Sequence, residues 1–229
     1  MKLFICYIIV FCQLNAVFCQ KNRQINIAFN PVFATRPIDF NDSVYSLKDG
    51  NNIKFETLKF YISGIQFYNN AKLVWQEKNS YHLYDATDGN HQSVKLSIPS
   101  TIKFSKLTFN LGIDSVTNVS GAMGNDLDPT KGMYWTWQNG YINLKLEGTS
   151  NTCPNPKKEF QFHLGGYIKP LACLKKISLE VNNKNSITIY IDIKQFIDAI
   201  DLSKENHIMS PSASAVELFE LIAKCFYSK

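Results

Sequence analysis

The sequence predicts an all-β protein, an immunoglobulin-like or related β-sandwich with a short C-terminal helix. Three observations lead there. Runs rich in aromatic and β-branched residues recur along most of the chain. Several of them alternate apolar and polar side chains with period two, the mark of sheets with one buried and one wetter face. Helical patterning is confined to the C-terminal end.

In chain order, INIAFNPVF at 25–33 opens the series, with Ile25, Ile27 and Phe29 on one face. A long aromatic and β-branched run follows from Phe55 to Phe67. Shorter strands are expected at Leu73–Trp75, Tyr81–Tyr84 and Val94–Ile98. In Phe104–Ile113, Leu107, Phe109 and Leu111 oppose Thr108 and Asn110; further on, Ile142, Leu144 and Leu146 oppose Asn143, Lys145 and Glu147. Phe160–Leu164, Ile177–Val181 and the isoleucines at 187, 189, 191 and 193 complete the strands. Lys194–Ile200 suits a short helix. Ser210 and Pro211 then form a plausible N-cap and first-turn pair for a last helix with Val216, Phe219, Ile222, Ala223 and Phe226 on one face.

The 229 residues suffice for one generous domain, and 45% hydrophobic with 19% charged residues is ordinary for a folded chain. A net charge of +5, with basic clusters no longer than Lys157-Lys158 and Lys175-Lys176, argues against nucleic acid as a partner. Residues 1–20, one lysine followed by an apolar run, read as a secretory signal, leaving a single domain over 21–229 with no membrane span in the mature chain. An exported protein of the periplasm or cell surface is the expectation. Three cysteines then remain, and Cys153 and Cys173, both in polar, proline-bearing loops, are the expected disulfide. Cys225 falls on an apolar helix as a buried thiol.

No nucleophile elbow, zinc-protease helix, Walker loop or dinucleotide-binding glycine pattern is present, so an enzyme is not expected. The longest irregular stretch, Asp114–Lys131, leads straight into Met133-Tyr134-Trp135-Thr136-Trp137. Strand parity places Met133, Trp135 and Trp137 on one face. This indole pair is open to three accounts: core anchors, a carbohydrate platform, or neighbours of a metal. His163 falls on the face opposite Phe160, Phe162 and Leu164, just before Gly165-Gly166, where backbone can approach something closely. His207 and Met209 stand two apart ahead of the last helix, a donor pair suited to copper. His82 and His91 have polar surroundings and are weaker candidates. NDLDPTKG at 125–132 carries alternating acids, a weak calcium signal without the EF-hand spacing.

Taken together, LKFYISGIQF (58–67), SYHLYD (80–85), the run from Leu111 to Gly148, FQFHLGG (160–166) and HIMSPSASAVELF (207–219) resemble the MbnP-like copper-binding family. These are exported bacterial proteins related to methanobactin-associated and copper-repressible surface proteins. The resemblance implies a copper-binding β-sandwich in which His163 and His207 are ligands and Trp135 and Trp137 match the family W-x-W pair. It also implies tryptophan oxidation to kynurenine, in some relatives by a di-haem peroxidase-like partner, with Met133 and Met209 as further neighbours of the metal. The chain departs from the pattern at Asn30, where many members place a histidine. The competing expectation is a metal-free sandwich that binds a glycan or protein at the cell surface.

Overall fold

The computed structural model describes residues 21–88, 93–138 and 140–229; the proposed signal and His91 lie outside them. The strands are β1 (Asn22–Phe33), β2 (Arg36–Pro37), β3 (Tyr45–Ser46), β4 (Asn52–Asn69), β5 (Lys72–Gln76), β6 (Tyr81–Asp85), β7 (Val94–Pro99) and β8 (Lys106–Leu111). After helix α1 (Ser115–Val119) come β9 (Tyr134–Trp135), β10 (Gly140–Ser150), β11 (Glu159–Gly165), β12 (Lys175–Glu180) and β13 (Ser186–Asp192). Helix α2 (Ile193–Ile197), β14 (His207–Ile208), helix α3 (Ala213–Ala223) and β15 (Phe226–Ser228) close the chain.

The strands form two sheets. The smaller runs β15-β13-β1-β2, with β7 also on β1; the larger has ten strands along the path β12-β8-β4-β10-β11-β14. The larger sheet curls into a half-barrel, which a flat immunoglobulin-like pair does not do. Register shifts within β4 and β10 and the left-handed Gly64 in the eighteen-residue β4 provide the bends such curling needs. A second departure is the parallel pairing of β1 with β13, which joins the two ends of the chain and is invisible to local patterning.

Between the sheets lies one large core. From β1 it takes Ile25, Ile27 and Phe29; from β10 and β11 it takes Leu144, Leu146, Phe160, Phe162 and Leu164. The period-two readings therefore hold for these residues, but not for Ile142, which the register shift before Leu144 sends to the outer face. The last helix starts later than expected: Ser212, not Ser210, caps it, its hydroxyl accepting from the Ala215 N–H. Phe226 is in β15 rather than on the helix.

A smaller apolar cluster sits on the outer face of the large sheet, where Asp114–Lys131 folds over it. Tyr61 of β4 and Leu83 of β6 meet Ile113, Leu127, Met133, Trp135, Tyr141 and Ile142 there. Buried amides hold this cover in place. Asn118 donates to the carbonyls of Ile113 and Asp114 and accepts from the Tyr141 N–H. Asn143 accepts from the Ile113 N–H and donates to the Cys173 carbonyl. Asp126 and Asp128, the acids of the calcium expectation, are committed elsewhere. Asp126 accepts from the Leu83 N–H and pairs with Lys131, while Asp128 caps the turn at Thr130. These are the contacts of a turn held together by its aspartates.

Asn143→Ala strips two buried partners at once and is expected to destabilise by about 2 kcal/mol, lowering Tm by about 4–8 °C. Thermal melting checks this, and an unchanged Tm would show that the amide does not hold the cover.

The disulfide expectation is corrected, since Cys153, Cys173 and Cys225 are all buried free thiols. The Cys153 N–H donates to the Ser150 carbonyl, whereas the Cys173 carbonyl accepts from the Asn143 side chain. Ser150 and Asn143 stand toward opposite ends of β10, about 20 Å apart at the rise of an extended strand. A disulfide needs its Cα atoms within about 7 Å. Cys225 is buried, as expected, and its thiol donates to the Leu221 carbonyl.

Candidate metal centre

The candidate site is on the outer face of the large sheet, where β11 lies between β10 and β14. Lys145 pairs with His163 and Glu147 with Gln161. Because Leu144, Leu146, Phe160, Phe162 and Leu164 fill the core, alternation turns Lys145, Glu147, Gln161 and His163 outward together. His163 is nevertheless only 6% exposed. An outward position on this sheet is wet only where nothing covers it.

The His163 Nε2 lies 2.7 Å from Glu147 Oε1, a diagonal cross-strand contact. Hydrogen bonding from His163 is the main force holding the Glu147 carboxyl below its ordinary range. Burial opposes it, while the charges of His163 and Lys145 add to it. Burial in turn lowers the Lys145 ammonium, against the pull of Glu147. The one side-chain hydrogen bond of His163 among the described residues is made through Nε2, which leaves Nδ1 without one.

The second imidazole arrives on β14, which runs parallel to β11 with His207 opposite Gln161 and Ile208 opposite Phe162. Ile208 enters the core beside Phe162, so His207 turns to the same outer face as His163. β14 ends at Ile208, so Met209 lies just past it, while the register fixes His207 relative to His163. His207 is then one strand over and two positions back, about 8 Å away between Cα atoms at ordinary sheet spacings. His207 is exposed and Met209 half-buried.

The tryptophans separate. β9 pairs with the start of β10, Trp135 opposite Gly140, in a short hairpin. The Trp135 six-membered ring lies over Gly165, two residues past His163: a Cβ at Gly165 would come 2.7 Å from Trp135 Cζ3 and 2.6 Å from the Tyr141 carbonyl oxygen. Met133 is fully buried in the smaller cluster with Trp135. Trp137 belongs to the turn, which breaks the strand parity, and is 65% exposed with its ring centroid 6.0 Å from that of Trp135. The shared face expected for all three thus holds for Met133 and Trp135 only.

The remaining candidates lie elsewhere. His82 pairs with Glu77 at 2.9 Å on β6. Asn30 is next to core-facing Phe29 on β1 and points from the outer face of the smaller sheet, across the core from His163. A histidine there would not join this site.

Among the described residues no three His, Cys, Asp or Glu side chains converge to hold an ion. The donors on one face of two adjacent strands are the imidazoles of His163 and His207, with the Met209 thioether just past the end of β14. That is a set of the softness copper prefers and calcium does not. With His207 exposed, these residues fit copper as an open arrangement rather than a finished cage. Sequence reasoning missed Glu147 and the seat that Gly165 makes for Trp135. The signals were present, in Glu147 on the polar parity of β10 and in the paired glycines after His163.

The chain has no sequence match among curated proteins. Among solved structures it is similar to MbnP from Methylosinus trichosporium, with a TM-score of 0.62 over 80% of each chain at 14% identity. The MbnP family model matches residues 22–210, a span that takes in the β10–β11 pair, the tryptophan hairpin, His207 and Met209, and on that match the chain belongs to the MbnP family.

Proposed function

We propose that this protein is an exported, single-domain copper-binding protein with a binding or delivery role rather than turnover. Family membership implies a methanobactin-associated, copper-related protein. The observation that carries the finer reading is the placement of His163 and His207 on one outer face of β11 and β14, with Met209 directly after β14 and Trp135 at the edge of that face. His163 and His207 would hold the ion, and Met209 would add a thioether that tolerates both copper oxidation states. The bound ion would supply a redox-active, Lewis-acidic centre outside the cytoplasm. The protein's own part is to fix one buried imidazole, leave the second open to solvent, and wall one side with an indole.

The test is copper titration of the purified chain, followed by desalting and metal analysis. One retained copper per chain is expected, with fluorescence quenching that is largely lost in Trp135→Phe and kept in Trp137→Phe. A chain that emerges from desalting without copper sinks the reading. Tryptophan oxidation to kynurenine, by a di-haem peroxidase-like partner, belongs to the same proposal. The tryptophan beside the site is Trp135, so intact-mass analysis with peptide mapping of protein from its natural host should place any modification there. Modification at Trp137 alone would contradict that.

A second reading, a surface module that binds a protein or glycan, draws on exposed Trp137, Ile168, Met123, Val119 and Val116. Ligand capture unaffected by copper would favour it.

A further inference from the structure

We propose that Glu147 is the positioning residue of the metal centre: it fixes the tautomer of His163 so that Nδ1, rather than Nε2, faces the ion. The inference rests on the copper reading and adds to it a residue and a coordinating atom.

A carboxylate has only lone pairs to offer, so a neutral imidazole 2.7 Å from it must carry its single proton on the nitrogen in contact. That nitrogen is Nε2. Its partner is committed by position, since Glu147 is on β10 diagonally across from His163 and both belong to the most regular part of the pairing between β10 and β11. The ring has little freedom to turn over, because only 8% of the His163 side chain is exposed, against 23% for Glu147. Thr57 is opposite Glu147 on β4, and Lys145 precedes it by two residues on the same outer face of β10. The lone pair on Nδ1 is then the one available.

His207 differs in each respect. It is exposed, and no side-chain partner fixes its tautomer among the described residues. The site therefore has one preset imidazole and one adaptable one. Because Nδ1 is bonded directly to Cγ, coordination through it keeps the ion close to the strand. Supporting carboxylates of this type orient the ring and raise its basicity.

The experiment compares wild type, Glu147→Gln, Glu147→Ala and His163→Ala. Each is titrated with copper(II) against a competing chelator and read by pulsed electron paramagnetic resonance, which senses the remote, non-coordinating imidazole nitrogen. Glu147→Ala is expected to weaken copper binding about 10–100-fold and to change the quadrupole signal of one remote nitrogen. Glu147→Gln keeps an acceptor at the same reach, so it should recover part of the affinity and an intermediate signal. Circular dichroism melts report folding separately. If Glu147→Ala and Glu147→Gln leave affinity and the remote-nitrogen signal unchanged while His163→Ala abolishes binding, the positioning role is overturned and the copper reading stands. A wild type that holds no copper overturns both.

Discussion

Gly148→Ala and Gly165→Ala are each expected to destabilise the fold by about 3 kcal/mol, seen as a fall in Tm of about 6–12 °C. At Gly148 a methyl group would come 2.0 Å from the Lys54 carbonyl oxygen and 2.7 Å from the Phe160 ring. The first of these is backbone on the paired strand β4, at a register shift, so relief requires β4 and β10 to part. At Gly165 the obstacles are the Tyr141 carbonyl oxygen and the Trp135 indole. The two variants should diverge in a second measurement. Gly165→Ala pushes the indole off its seat and should diminish copper-induced quenching of tryptophan fluorescence. Gly148→Ala, whose methyl group would enter the main core, should leave quenching largely intact in the folded fraction. A Gly165→Ala protein with wild-type Tm and quenching would show that Trp135 does not rest on this strand.

How much of this could be read from the sequence follows the range of the forces involved. Period-two alternation is local, so the core faces of β8, β10 and β11 were legible, and with them the outward direction of His163. Its burial was not, because the residues that cover it come from distant parts of the chain. The same limit applies to Trp137, for a turn resets strand parity and its geometry depends on the pairing of Trp135 with Gly140. Cys153 and Cys173 look alike in sequence, both in polar loops with prolines nearby. Only the fold shows that they are held near opposite ends of one strand. The parallel pairing of β1 with β13 and the curl of the large sheet are long-range features with no local period. Glu147 was visible as a polar-face residue, yet its role depends on a diagonal neighbour supplied by another strand. Family resemblance singled out the histidines; the structure adds that the Asn30 position is on the wrong side of the core to join them.

The strongest effect on binding is expected from removing both imidazoles. His163 is buried and hydrogen-bonded to Glu147, so on the copper reading its loss takes the preset ligand. His207 is the exposed imidazole on the adjoining strand, and on the same reading its loss leaves the ion with one nitrogen and a thioether. Each single alanine variant should weaken copper binding by more than about 100-fold, beyond what an orienting partner contributes. His207→Ala should do so with little change in Tm, because the side chain it removes is solvent-facing. The double variant should retain no copper through desalting.

X-ray absorption of the copper-loaded protein tests the central claim most directly. The prediction is scattering from two imidazole rings in wild type, one in either single variant, and no bound copper in His163→Ala/His207→Ala. Copper that remains bound in the double variant with the wild-type imidazole signal would contradict the assignment of both histidines.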